Sequence, residues 1–216
     1  MAILTRNDIK KEISEGRLAF SPPLDQFQMQ PHAIDLRLGT KFMIPKSWEI
    51  TEKGRAAIKV AIDAESSDSE YNQIDLKPGQ YFEILPDEFV IATSLENITL
   101  KSPNLMAILF PRTSTNRRGL NLSLSGIIDT GYEGTLIFPI KNETNQVIRI
   151  YPGERICQII LQELSGDLTP EEANLHGAQE AKYTEGSSGS YKLDKQEERD
   201  AIIAGNLDSL KQSHHI

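Results

Sequence analysis

At 216 residues, with 38% hydrophobic and 25% charged side chains, the chain is long enough for one sizeable core and too ordinary in composition for a disordered or fibrous protein. A formal charge of −8 argues against a protein that coats duplex nucleic acid through a basic face, and the single cysteine, Cys157, excludes a disulfide framework and any zinc site built on several cysteines. No apolar run approaches the roughly 20 residues of a membrane helix, and Met1 to Asp8 has no signal-peptide profile, so the expectation is a soluble, cytoplasmic protein without nucleic-acid or membrane partners. Small anions stay open as ligands, because a few arginines set a pocket's local field whatever the net charge.

In chain order, Thr5 as N-cap, Ile9 and Ile13 four apart, and Gly16 as a stop predict a brief helix. From Ala33 the pattern changes to short apolar or alternating runs bounded by Gly, Pro, Asn and Asp: Ala33–Leu38, Tyr81–Leu85, Phe89–Thr93, Leu105–Phe110, Leu120–Leu124, Thr135–Ile140, Val147–Ile150 and Ile156–Leu161. Eight such runs predict an antiparallel sandwich or barrel. The polar stretch Thr51–Asn72 reads as an excursion between strands with some helical character. Thr169–Leu175 is one helical stretch, Glu185–Ser190 a Gly/Ser segment, and Leu193–Leu210 has helical composition.

Four segments are able to carry chemistry. Phe110 to Gly119 holds Arg112, Arg117 and Arg118 among hydroxyls, which makes it either an anion cradle of charge-assisted donors or a solvated basic loop. In Ser125–Gly134, Asp129 is either a turn residue bonding its own backbone or a carboxylate placed at a strand end to activate water. In Gly153–Ile160, Arg155 and Gln158 are three apart and fall on opposite faces of a regular strand, so at least one is expected to be structural. Lys182-Tyr183 precedes the Gly/Ser segment, where a linker is the default and a phosphate-wrapping loop the alternative.

Taken in order, these segments resemble the superfamily of trimeric dUTP diphosphatases and dCTP deaminases, up to about Tyr191. Pro31-His32-Ala33-Ile34-Asp35-Leu36-Arg37-Leu38-Gly39 is similar to the first motif and Pro111-Arg112-Thr113-Ser114 to the second. Gly126 to Gly134 is similar to the third, and Arg155-Ile156-Cys157-Gln158-Ile159-Ile160 to the fourth. The opening Ile3 to Lys11 and the Lys182-Tyr183 pair resemble the deaminase branch. The resemblance implies a mainly β fold, a dUTPase-like distorted jelly-roll barrel (β-clip) with a short N-terminal helix and a C-terminal arm, assembled as a homotrimer with shared sites. The expected division is a barrel with its helix over 1–165 and an arm and terminal helix over 166–216.

Two departures favour diphosphatase chemistry on a deaminase-like frame. Deaminases of this superfamily activate water with a glutamate ten residues after the third-motif aspartate, and that position here is Pro139, which has no side-chain acid or base. Arg112 and Asp129 are 17 positions apart, the diphosphatase spacing, and Asn121 to Ser125 lacks the deaminases' His-x-Thr-Ala stretch. The expectation is therefore a Mg²⁺-dependent dUTP diphosphatase releasing dUMP and pyrophosphate. The alternatives are a dCTP deaminase, a bifunctional deaminase and diphosphatase, or a non-catalytic nucleotide-binding regulator. By resemblance, Asp129 activates the water that attacks the α-phosphorus, and Arg112, Thr113, Ser114 and Arg117 hold phosphates. Gln158 reaches the terminal phosphate, Arg155 adds charge or braces the site, and Tyr132 stacks under the sugar. The hairpin around Leu124, Ser125, Gly126 and Ile128 reads the base through its main chain, and Lys182 and Tyr183 close over the substrate. No residue ligates the metal directly; Mg²⁺ sits on triphosphate oxygens and water, near Asp35.

Overall fold

In the computed structural model the described residues are 2–58, 70–124, 126–173, 175, 176, 179, 180 and 196–213. Helix α1 (Arg6–Ser14) starts as the sequence predicts. Thr5 caps it, and Asp8 closes a capping box through the Thr5 backbone N–H, which donates to Asp8 Oδ2 at 3.0 Å. Ile9 on its inner face is fully buried.

The strands are β1 (Leu18–Ser21), β2 (Ile34–Pro45), β3 (Trp48–Thr51), β4 (Gly54–Ala57), β5 (Tyr71–Asp75), β6 (Phe82–Ile84) and β7 (Phe89–Leu100). They continue with β8 (Leu105–Pro111), β9 (Leu120–Leu122), β10 (Ile127–Ile128), β11 (Glu133–Asn142), β12 (Ile148–Ile150) and β13 (Arg155–Glu163). Helix α2 (Thr113–Arg117) follows β8, and α3 (Pro170–Ala173), the β14–β15 pair (Leu175–His176, Gln179–Glu180), α4 (Gln196–Ile203) and α5 (Leu207–Ser213) follow β13. All eight predicted runs are strands, several of them longer than their apolar stretch.

The sheet is antiparallel and curled, in the order β10-β8-β13-β2-β7-β11-β9, with β1 against β7 and β5 against β2. Strand β2 makes the turn possible. Its first residues pair with β13, and from Leu38 onward it pairs with β7 and β5, with a register shift between Leu38 and Phe42. Gly39 sits at that crossing, where a Cβ would lie 2.8 Å from the Ser94 carbonyl oxygen, so only glycine lets β2 and β7 approach there. Strand β7 alternates buried and accessible residues along almost its whole length, as a one-sided strand should. Ile34, Leu36, Leu38, Phe42, Ile98, Phe138 and Ile159 fill the interior, and Phe42 and Phe82 stack with ring centroids 4.7 Å apart.

The excursion at Thr51–Asn72 carries no α-helix among its described residues; Glu70 is in 3₁₀ conformation. Its ends are the β3–β4 hairpin, whose β3 residues are all exposed, and the start of β5; residues 59–69 lie outside the described residues. A hairpin with no buried face leaves no alternation for a sequence pattern to reveal. None of the described helices is long and apolar enough to cross a membrane.

Candidate active site

A cleft of about 310 Å³ opens where β2, β13 and β8 lie side by side. Strand register builds it: Gln158 on β13 stands opposite Asp35 on β2 and opposite Phe110 on β8, one row across three strands. Gln158 and Asp35 line the cleft, and Arg112, Thr113 and Ser114 enter it from the end of β8 and the first turn of α2. That loop is pinned from beneath, because the Arg112 N–H donates to the Ile156 carbonyl at 3.2 Å and the buried Thr115 hydroxyl donates to the same oxygen at 2.9 Å. The opposite wall is Gln30, Pro31, His32 and Ala33, just before β2. Sequence reasoning assigns none of these four a role in the site; Pro31, His32 and Ala33 carry the signal of lying in the first motif with Asp35, and Gln30 lies just before it.

Asp35 is the electrostatic centre. Its side chain is 2% exposed, and Oδ2 takes an ion pair from Arg112 Nε at 3.2 Å, another from Arg155 Nη1 at 3.1 Å, and a hydrogen bond from Gln30 Nε2 at 3.1 Å. Burial pushes its carboxyl above the ordinary aspartate range, and Arg112 and then Arg155 pull it back. Arg112 Nη1 also donates to the Arg155 carbonyl at 3.0 Å, and Arg155 Nη1 to the Phe27 carbonyl at 2.5 Å.

Arg155 reaches Asp35 on the side of the sheet that Gln158 faces, where a regular strand would put the two on opposite faces; Gln158 lines the cleft and Arg155 does not. The cause is a bulge: Arg155 pairs with Arg37 and Cys157 with Leu36, so β13 spends two residues against one of β2 and its side-chain alternation resets. Cys157 is fully buried, and burial, then Glu96 and Asp35, push its thiol well above its ordinary value; it is a core residue.

Behind the cleft lies a second buried carboxylate, Glu96, 1% exposed. It accepts from the Arg37 backbone N–H at 3.1 Å and from Gln28 Nε2 at 2.6 Å. Burial pushes its carboxyl up. A folded-state carboxyl that holds its proton more tightly than the unfolded one contributes stability that grows as pH falls through the raised value. The unfolding temperature of the wild type is thus expected to rise relative to that of Glu96→Gln as pH is lowered from neutral into the carboxylate range. Calorimetric scans at several pH values check this; a difference independent of pH contradicts it.

The other predicted site residues lie apart from this cleft within one chain. Arg117 is exposed on the last turn of α2, and Arg118 points away, pairing with Glu154 and the Arg149 carbonyl. Gly126 and Ile128 belong to the hairpin that lies along β8: the Leu109 N–H donates to the Gly126 carbonyl at 2.8 Å, and Ile128 pairs with Ala107. Leu124 packs against the core. Asp129 is exposed, and its carbonyl accepts from the Tyr132 N–H at 3.2 Å, closing the turn into β11. Tyr132 is half-buried and donates through its hydroxyl to the Thr135 carbonyl at 2.9 Å. Pro139 lies in β11, where its carbonyl accepts from the Ser123 N–H at 3.0 Å. Ser125, Lys182 and Tyr183 lie outside the described residues.

Mg²⁺ prefers octahedral oxygen ligation with few protein ligands. Among the described residues there is no group of three or more His, Cys, Asp or Glu able to hold a metal ion, and Asp35, the one carboxylate in the cleft wall, is committed to two guanidinium groups. The residues present do not form a protein cage for Mg²⁺.

A curled antiparallel barrel whose first, second and fourth motifs meet in an arginine-bearing cleft places this protein in the superfamily of dUTP diphosphatases and dCTP deaminases. Within that superfamily a family model described as dCTP deaminase-like matches residues 3–164, and the chain belongs to that family. A relative from Methanosphaera stadtmanae, named dCTP deaminase, dUMP-forming, is 34% identical over 206 residues, which is 95% of this chain and 100% of the relative. Another of the same name, from a Sulfurihydrogenibium species, is 37% identical over 163 residues, covering 75% of this chain and 84% of the relative. The fold matches the crystal structure of a 2′-deoxycytidine 5′-triphosphate deaminase from Agrobacterium tumefaciens with a TM-score of 0.57 at 24% identity, over 76% of this chain and 49% of that one.

These relatives correct the expectation of a plain dUTP diphosphatase. That expectation rested on the Arg112-to-Asp129 spacing, Pro139, the missing His-x-Thr-Ala stretch at Asn121 to Ser125 and Tyr132, whereas the likeness to a dUMP-forming deaminase runs over 95% of this chain. The spacing was a poor guide because, by the family resemblance, base choice lies in hairpin main-chain groups, which side-chain identities do not report.

Proposed function

We propose that this protein converts dCTP to dUMP, consuming two waters and releasing ammonia and pyrophosphate. The observation that carries the reading is the identity shared with a dUMP-forming dCTP deaminase over that relative's full length. The cleft supports it chemically: Arg112, Thr113, Ser114 and Gln158 form a wall of donors suited to a polyphosphate. Arg155 braces that wall, and Arg117, exposed on the last turn of α2 and apart from the cleft within one chain, adds positive charge to the phosphate site across the subunit boundary. The hairpin Leu124, Ser125, Gly126 and Ile128 holds the base by main-chain groups, Tyr132 packs on the sugar, and Asp129 takes the proton of the water that attacks the α-phosphorus.

Pro139 has no acid or base to offer the second water, the one that attacks C4 of cytosine. That water needs another base, and Glu133, the first residue of β11, is the third-motif carboxylate besides Asp129. Mg²⁺ accompanying the substrate would supply charge neutralisation to the triphosphate, beside the donors Arg112, Thr113, Ser114 and Gln158, with no carboxylate among the described residues as its ligand. Because the hairpin residues and the cleft stand apart within one chain, the site is completed between subunits of a homotrimer, with segment 166–216, including Lys182 and Tyr183, as the closing arm. The enzyme works in the cytoplasm.

Incubation with dCTP and, separately, dUTP, with chromatographic separation of the products, tests the reading. Formation of dUMP, pyrophosphate and ammonia from dCTP is expected; dCTP left intact while the protein remains folded overturns it.

A further inference from the structure

Arg112 lines the cleft wall and its side chain is 25% exposed; Arg155 stands behind it at 29%. Both depend on one oxygen, Asp35 Oδ2, which itself is almost without solvent contact. The Arg112 fork spends Nε on Asp35 and Nη1 on the Arg155 carbonyl, and a guanidinium so held by two fixed acceptors keeps one orientation. Arg155 in turn is fixed between Asp35 and the Phe27 carbonyl, and Gln30 bonds both of those same acceptors. The backbone agrees with this arrangement. The bulge at Arg155 is what brings that side chain to Asp35, and the facing pair Gln158 and Asp35 sets the carboxylate's height in the cleft.

The charge count matters as well. A lone carboxylate in a cleft wall would repel a polyphosphate, whereas two guanidinium groups on one carboxylate leave a net positive charge in a poorly solvated place, where it acts strongly. A divalent cation coming to Asp35 would meet those same two cations.

We propose that Asp35 is a positioning residue, which clamps Arg112 against Arg155 so that the Arg112 fork faces the substrate's phosphates, and that it does not ligate the metal. The inference rests on the polyphosphate-binding part of the function given above. It deepens that reading by assigning the first-motif aspartate to the arginines.

The test is binding of inorganic triphosphate, measured by calorimetry in Mg²⁺-free buffer, to the full chain and to Asp35→Asn, Arg155→Met and the double variant. Each single variant is expected to bind about tenfold more weakly, and the double variant little worse than either, because both break one clamp. Wild-type-like or tighter binding by Asp35→Asn overturns the proposal, as does full additivity of the two losses. In turnover of dCTP, the Mg²⁺ concentration for half-maximal rate stays unchanged in Asp35→Asn; a large shift in it, with triphosphate binding intact, assigns Asp35 to the metal instead. If Asp35→Asn shows no cooperative unfolding transition, Arg155→Met decides alone, and unchanged affinity there overturns the clamp. Wild-type protein that binds triphosphate but leaves dCTP intact refutes the deaminase function and leaves the clamp standing. Wild-type protein that binds no triphosphate refutes the clamp.

Discussion

Replacing Asp129 by asparagine is expected to slow pyrophosphate release from dCTP by about 10²–10⁴-fold, the range a positioned general base supplies, while nucleotide affinity stays within a few-fold of wild type. Three hydrogen bonds from neighbouring groups hold the turn that carries Asp129. The buried Thr130 hydroxyl donates to the Leu105 carbonyl at 2.6 Å, the Gly131 N–H donates to the Leu100 carbonyl at 2.8 Å, and the Tyr132 N–H donates to the Asp129 carbonyl. Asparagine keeps the size but has no useful basicity toward water, and an unfolding scan of the variant separates a loss of fold from a loss of proton transfer. A pyrophosphate assay paired with calorimetric nucleotide binding reads both quantities. Unchanged pyrophosphate release would remove Asp129 from the reaction.

The second large effect is at Arg112. Truncation to alanine removes the proposed phosphate donor and leaves the buried Asp35 carboxylate with Arg155 as its remaining guanidinium partner. Losing a hydrogen bond to a charged group costs about 1.5–3 kcal/mol, and the weakened burial of Asp35 adds to this. We expect kcat/KM for dCTP to fall by about 10–150-fold, at about 1.36 kcal/mol per tenfold, with a lower unfolding temperature. Arg112→Lys separates the two contributions. A lysine keeps the charge beside Asp35 but offers a point of donors in place of a planar fork, so it should restore most of the stability and little of the activity. Full activity in Arg112→Lys would show that the cleft needs only charge at that position, not a fork.

Much of the barrel is written locally. Thr5 and Asp8 three apart announce the start of α1, and the alternation along Phe89–Thr93 continues through the rest of β7 because that strand has one buried face throughout. The β3–β4 hairpin and β10 were missed, since exposed residues or a pair of residues leave no hydrophobic period to find, and β1, whose Leu18 and Phe20 do alternate with exposed neighbours, is only four residues long. Of the site, Arg112, Thr113, Ser114 and Gln158 were legible as donors, and all four share the cleft. What the sequence hides is long-range. The bulge that turns Arg155 toward Asp35 leaves no mark in the order of residues, and the pairing of Gln28 with Glu96 joins positions 68 apart. Pro139 was read as the end of deaminase chemistry, a conclusion drawn from one side chain, whereas the likeness to dUMP-forming deaminases is spread over the whole chain.

The central claim, that one protein both deaminates the base and cleaves the α-phosphate of dCTP, is tested most directly by turnover of dCTP in ¹⁸O-labelled water with mass analysis of the nucleotide product. Two waters enter, one at C4 of the base and one at the α-phosphorus, so dUMP carrying two heavy oxygens is predicted. A product that retains the cytosine amine and carries a single heavy oxygen on phosphate, or recovery of unlabelled dCTP, would contradict the account.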